Sequence, residues 1–208
     1  MLLAAFFLLI GRYTDRGDLL LGTPMSGRTD GRWQRTIGCF VNTLVLRCRL
    51  DACGDFRELV RQVTLTTAEA REWQDVPFDQ LVTGLERDSS RSPLVQVMFQ
   101  TQLDHGAGVQ IGDARLARRP VDLETAKFDL TLTVRKNGDA LEVGCQYNTS
   151  LFGRERMARL LEHYRQVLQH ALRAPELGLE ALDPVSRQEN RTLQALGRGE
   201  AALDLMSL

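Results

Sequence analysis

The 208-residue sequence carries almost no net charge, with 26 Lys plus Arg against 27 Asp plus Glu. No excess of one sign recommends nucleic acid or an anionic membrane as a partner. Arg115, Arg118 and Arg119 form one local basic cluster, in a stretch that reads as a solvated loop. The four cysteines, Cys39, Cys48, Cys53 and Cys145, show no CxxC spacing and no paired histidine, which argues against a zinc site. Cys39 and Cys145 fall inside apolar strand-like runs and are expected as buried thiols, in a reducing, cytoplasmic setting. The uncharged run MLLAAFFLLI at residues 1–10 is too short to span a bilayer and lacks both a basic leader and a small-residue cleavage site. It reads as a core helix. GxSxG, GxxxxGK[ST] and HExxH are all missing. The three histidines, His105, His163 and His170, include no adjacent pair. A triad assembled from distant residues leaves no signature in sequence, so that class stays open.

What is present suffices for one well-buried core. Its centre is residues 19–47, LLLGTPMSGRTDGRWQRTIGCFVNTLVLR. Apolar runs at residues 19–21 and 37–46 predict strands, separated by a Gly, Pro, Ser and Asp-rich bend. Ile37, Phe40, Val41 and Val45 suit a buried pleated surface. Asn42 and Thr43 interrupt it, and a buried amide and hydroxyl need partners. Two readings of Asn42 follow: a donor and acceptor orienting a ligand amide, or a brace to a neighbouring loop carbonyl.

Elsewhere the spacing is regular. Asp55 and Glu58 have capping-box spacing ahead of a helix running to about Trp73, weakened by the β-branched TLTT at 64–67. Pro77 fits the first turn of a short helix with Phe78, Leu81, Val82 and Leu85. Residues 95–103 alternate as a strand. Residues 104–127 are broken by Gly106, Gly108, Gly112 and Pro120. Phe128, Leu130, Leu132 and Val134 alternate up to Asn137 and Gly138, and Leu141, Val143, Cys145 and Tyr147 alternate after them, predicting a hairpin. Centring its turn on Asn137 and Gly138 pairs Val134 with Leu141 and Leu132 with Val143. Met157, Leu160, Leu161, Tyr164, Val167, Leu168 and Ala171 predict an amphipathic helix, with His163 and His170 expected in solvent or at its edge. A short helix is expected within 184–196.

Four segments resemble condensation domains of nonribosomal peptide synthetases. IGCFVNTLVLR at 37–47 is similar to the family's IGxFVNTLxLR, and residues 22–28 to its GTPxxGR. WQDVPFDQL at 73–81 matches HQDVPFEQL except for Trp73, and RDSSRSPL at 87–94 matches RDxSRNPL except for Ser92. The resemblance covers residues 1–175, the C-terminal half of such a domain, with 176–208 a linker-like tail. The implied fold class is α/β, a mixed β-sheet covered by helices, one lobe of a chloramphenicol-acetyltransferase-like fold. The resemblance places Asn42, Thr43, Gly27, Arg28 and Ser92 along the substrate tunnel. It makes Asp75, Pro77, Phe78, Arg87, Asp88 and Arg91 structural motif residues, the arginines bracing a compact turn. It also implies a crossing to the other lobe from within 104–127.

The family joins a carrier-bound thioester to an amine, and its HHxxxDG motif is absent here. The resemblance therefore implies a catalytic centre completed by an N-terminal lobe or synthetase module, and no catalytic residue is assigned to this chain. The implied partners are that lobe and a carrier protein whose phosphopantetheine arm delivers substrate, with no cofactor attached covalently to this chain. Two alternatives stand beside this reading. One is a non-catalytic docking module for a synthetase or carrier. The other is a small coenzyme A-dependent acyltransferase with its site at an oligomer interface and His105 as its base. Because the apolar helix at 2–13 and the surroundings of the central strand are expected to pack against the other lobe, the chain alone is expected to expose an apolar face and self-associate.

Overall fold

The computed structural model describes residues 1–85, 92–103, 109–116 and 125–197. Helix α1 spans Leu2–Thr14, and its middle, from Ala4 to Gly11, is buried on every side. A helix apolar all round demands such a setting. It lies against a five-stranded sheet with order β2-β1-β3-β6-β7, formed by β1 (Asp18–Ser26), β2 (Val41–Arg49), β3 (Val97–Leu103), β6 (Leu130–Asn137) and β7 (Ala140–Tyr147). The sheet is mixed: β1 with β2 and β6 with β7 are antiparallel, whereas β3 runs parallel to both β1 and β6. Strands β4 (Val109–Ile111) and β5 (Ala114–Leu116) form a separate small hairpin.

Helices α2 (Phe56–Glu72) and α4 (Arg154–Arg173) flank α1, while α3 (Phe78–Leu81) is a single turn and α5 (Arg187–Gly197) is the last described element. The centre is aromatic. Phe6 of α1 meets Phe99 of β3 at 5.9 Å and Tyr164 of α4 edge-on at 6.1 Å, between ring centroids. Such pairs add to the gain from area burial. The Tyr164 hydroxyl donates to the Leu2 carbonyl at 3.0 Å, and burial pushes its pKa up. The expectation that α1 would present an apolar face for another lobe is corrected, because α2, α4 and the sheet already enclose it within this chain.

Local chemistry explains the boundaries. The Asp55 carboxylate accepts from the Glu58 amide at 2.8 Å, and the Glu58 carboxylate reaches back to the Gly54 amide at 2.7 Å. These bonds fill donors that a helix start leaves open. The TLTT stretch is helical all the same, on a helix anchored by buried Leu59 and Val63, and its Thr64 and Thr67 hydroxyls are satisfied by carbonyls one turn back, at 2.7 and 2.6 Å. Pro77 is the N-cap of α3 and not its first helical residue.

The hairpin of β6 and β7 is present, with its register moved by two residues. Val134 faces Val143, Leu132 faces Cys145 and Leu130 faces Tyr147. The two loop residues are Gly138 and Asp139, with Gly138 at φ +59° and Asp139 outside the left-handed region. That places glycine first in the turn, the demand of a type II′ geometry, where the Asn-Gly reading assumed type I′. A shift of two keeps each residue on its own face, so the buried set survives. Leu141 nonetheless opposes Lys136 and is 54% exposed.

Two further corrections concern the strands. β1 continues through Thr23, Pro24 and Met25, which the sequence placed in a bend, because they pair with Leu44, Thr43 and Asn42. β2 starts at Val41, so Ile37 is fully exposed and Cys39 is exposed as well. Cys145 is half-buried. Within the stretch after α4, Leu179 and Leu182 join the core, Leu182 being wholly buried. Among the described residues no helix is long and apolar enough to cross a membrane, and no group of three His, Cys, Asp or Glu is placed to hold a metal ion.

Candidate functional site

Residues from the two motifs on β1 and β2 converge where those strands leave the sheet. There Gly27 donates its amide to the Phe40 carbonyl at 2.9 Å. A Cβ on Gly27 would sit 2.4 Å from that carbonyl oxygen, so the approach requires glycine. Next to it the Arg28 guanidinium donates to the carbonyls of Trp33 and Gly38 and lies 4.3 Å above the Phe40 ring. A planar fork that also stacks on an aromatic face suits arginine and not lysine. The Trp33 and Phe40 rings are 6.0 Å apart. Gly27 and Arg28 thus close the excursion between β1 and β2 into a loop of defined shape.

Asn42 does the same for a second loop. Its Nδ2 donates to the carbonyls of Gln74 at 2.9 Å and Val76 at 2.7 Å. Its Oδ1 accepts from the Phe78 amide at 3.1 Å and the Thr43 amide at 2.9 Å. Two donors and two lone pairs are the whole capacity of a side-chain amide, so all of it is committed. Of the two readings of Asn42, the brace to loop carbonyls is the one this geometry describes. Asn42 pins the 73–78 loop to the start of β2. Thr43, half-buried, points to the opposite face, as the two-residue period of a strand demands. The two adjacent polar residues are therefore not one donor and acceptor pair.

The pinned loop and the short helix after it divide between buried and exposed groups. Val82 is 2% exposed, whereas Trp73 is 70% exposed. Phe78 is half-buried, and Asp75 and Pro77 are exposed. Ser92 lies elsewhere. Its carbonyl accepts from the Gln96 side chain at 3.0 Å, and β3 runs parallel to β1 from the Gly22 and Met98 pair. The approach to β3 therefore runs along the start of β1, where Leu94, Gln96 and Val97 share a groove of about 760 Å³ with Asp18, Leu20 and Arg47. The structure brings Gly27, Arg28, Asn42 and the 73–78 loop to one end of the β1 and β2 pair and Ser92 to the other. Arg87, Asp88, Arg91 and His105 lie outside the described residues.

One group departs from what the sequence suggests. His163 is not in solvent but 8% exposed, with Nδ1 2.7 Å from the Tyr13 hydroxyl and Nε2 2.8 Å from a Glu189 carboxylate oxygen. Cys48 is buried against Gln62, and burial pushes its thiol up to about 12, so it is no thiolate nucleophile near neutrality. The signal for His163 is its spacing, three residues after Leu160 and four before Val167 on the buried stripe.

A family model for the condensation domain matches residues 1–194. A linear gramicidin synthase protein of Brevibacillus parabrevis is 40% identical over 199 residues, covering 92% of this chain and 4% of that protein. Surfactin synthase subunit 1 of Bacillus subtilis (strain 168) is 34% identical over 191 residues, covering 91% of this chain and 5% of that protein. The chain therefore spans only a small part of the curated relatives it matches. Among solved structures, a holo four-domain nonribosomal peptide synthetase bound to AMP and glycine superposes with a TM-score of 0.81 at 23% identity, over 91% of this chain and 16% of that one. That likeness speaks for the fold. The X-domain from teicoplanin biosynthesis gives 0.78 at 28% identity, over 88% of this chain and 43% of that one. The mixed sheet with its helices agrees with one lobe of a chloramphenicol-acetyltransferase-like fold. With the match running through nearly its whole length, this chain belongs to the condensation-domain family.

Proposed function

We propose that this chain is the C-terminal lobe of a condensation domain. In this reading it forms one wall of a chamber in which carrier-bound substrates are joined by an amide bond in nonribosomal peptide assembly. The observation that carries the reading is the condensation-domain match over residues 1–194 in a sequence with no adjacent histidine pair. In the reaction, a neutral amine attacks a thioester carbonyl, the carbonyl carbon passes through a tetrahedral stage, and the carrier thiol leaves. The amine's proton has to be managed, and an imidazole near neutrality is suited to that. No such group is assigned to this chain, so the paired imidazoles come from an N-terminal lobe.

This chain's own share is positioning. Arg28 and Gly27 hold one loop and Asn42 holds another, which fixes the shape of one end of the wall. Asn42 has no position left for a ligand, so the Thr43 hydroxyl is the nearer candidate for meeting an amide of an acceptor-side phosphopantetheine arm. The arm belongs to the carrier protein, and this chain carries nothing covalently.

The test mixes the purified chain with a separately supplied N-terminal lobe bearing HHxxxDG and with aminoacyl-loaded carriers, and reads amide product by mass spectrometry. Product is expected in the complete mixture and is lost when the second His of HHxxxDG is replaced. Product from this chain and loaded carriers alone would overturn the need for the second lobe.

A second reading, a docking module without turnover, is favoured by one observation. The teicoplanin X-domain, similar to this chain at 27% identity and a TM-score of 0.78, is solved in complex with OxyB. Titration of the chain against a phosphopantetheinylated carrier, with no binding found, removes it.

A further inference from the structure

Among the described residues, His163 in the middle of α4 is the buried polar or charged side chain, and it touches neither of the two pinned loops. Both of its nitrogens are engaged. Nε2 faces the Glu189 carboxylate of α5, which only accepts, so Nε2 carries a proton. In the neutral ring Nδ1 is then the acceptor, and the Tyr13 hydroxyl of α1 donates to it. The rings of Tyr13 and His163 lie 5.8 Å apart, and burial followed by the Glu189 charge pushes the Tyr13 phenol up, keeping it a donor. One directed chain of hydrogen bonds, Tyr13 to His163 to Glu189, thus ties together three helices remote in sequence.

What it holds is unevenly attached. The segment leading to α5 is firm: Leu182 is wholly buried, Pro184 is buried, and the Asp183 carbonyl lies 3.1 Å from His170 Nδ1. Beyond it, no described side chain of α5 is buried, and Glu189, Thr192 and Ala195 are half-buried. Between the two stand Val185 and Ser186, whose Oγ accepts from the Glu189 amide as the helix begins. We infer that α5 is a movable arm, hinged at residues 185–186 and clasped to the lobe through the relay of Tyr13, His163 and Glu189. In the pair the carboxylate is the more exposed partner, 31% against 10% for the imidazole side chain, so on release Glu189 regains water while His163 loses its acceptor. That asymmetry favours the closed arm without forbidding the open one.

Hydrogen exchange read by mass spectrometry on the full chain tests this. Glu189→Ala is expected to speed amide exchange in 187–197 at least tenfold, with exchange in β6 and α4 unchanged. Glu189→Gln, whose Oε1 still accepts from Nε2, is expected to give a smaller rise, and Tyr13→Phe a smaller rise than Glu189→Ala. These variants keep the test sound even if His163→Ala fails to fold. Unaltered exchange in 187–197 on Glu189→Ala overturns the inference, as does a rise spread equally over β6 and α4.

Discussion

Around Phe6, eight consecutive residues of α1 are buried on all sides by the sheet and its neighbouring helices, in a setting of aliphatic and aromatic contacts. Around Asn42, large apolar side chains face solvent instead, with Ile37 fully exposed, Trp73 at 70% and Val41 at 62%, and the loops are held by hydrogen bonds to backbone carbonyls. The first region supplies free energy and tolerates any residue set that fills it well. The second supplies shape, and each of its key residues is specified by what only that side chain can reach. A lobe that must remain folded while presenting a defined wall needs both, in different places.

The sharpest way to break this comparison is to attack the first region. Phe6→Ala removes a ring packed on Phe99 and Tyr164, and should cost about 3–5 kcal/mol, read as a lowered midpoint in urea denaturation. A loss under half of that would mean α1 is not the energetic centre. Asn42→Ala should come next, at about 2 kcal/mol, because two carbonyls and two amides lose their partner at a half-buried site that water partly reaches. Its signature is local: faster amide exchange through 73–85, with α1 amides protected as before. Equal loosening of α1 would show that the pins and the core are one cooperative unit.

The same division governs what is legible in the sequence. Where periodic burial decides the structure, reading by pattern succeeds, as in α2 with its Asp55 cap, in β6 with Leu130, Leu132 and Val134 buried, and in α4. The hairpin register differs by two because turn type depends on a single φ at Gly138, a choice that alternation does not encode. Ile37 suits a strand for being β-branched, yet the β1 and β2 pairing ends with the Gly27 and Phe40 hydrogen bond, and beyond it Arg28 holds the Trp33 and Gly38 carbonyls in a loop. Asn42 is recognisable as a polar residue needing partners. Which partners it finds depends on a loop more than thirty positions later, and no local rule reports that. His163 follows the same logic, its two partners lying 150 and 26 residues away.

A smaller effect sharpens the second region. Gly27→Ala drives a Cβ to within 2.4 Å of the Phe40 carbonyl oxygen, and backbone cannot yield as a side-chain tip does. The expected cost is about 1–2 kcal/mol, read from the denaturation midpoint, because the neighbour that must move is backbone. The accompanying readout is a changed environment for Trp33, whose ring packs on Phe40, seen in the fluorescence of a Trp73→Phe background.

The smallest effect lies on the solvent face of α4, where Arg165 donates to Glu162 at 2.8 Å. Hydrogen bonding from Arg165, and then from Gln166, lowers the Glu162 carboxyl to about 2. A carboxyl depressed in the folded chain stabilises it above its unfolded pKa, and that stabilisation fades as pH falls from the ordinary glutamate range toward about 2. Both side chains are about half exposed, 52% and 48%, so water screens the pair and Arg165→Ala should be the mildest of these substitutions near neutrality. Denaturation curves of the two proteins should converge on acidification. If Arg165→Ala instead matched Gly27→Ala in cost, and kept that cost in acid, the stem of the arginine would be contributing packing on α4, and the division between a region held by burial and a region held by polar pins would have to be redrawn there.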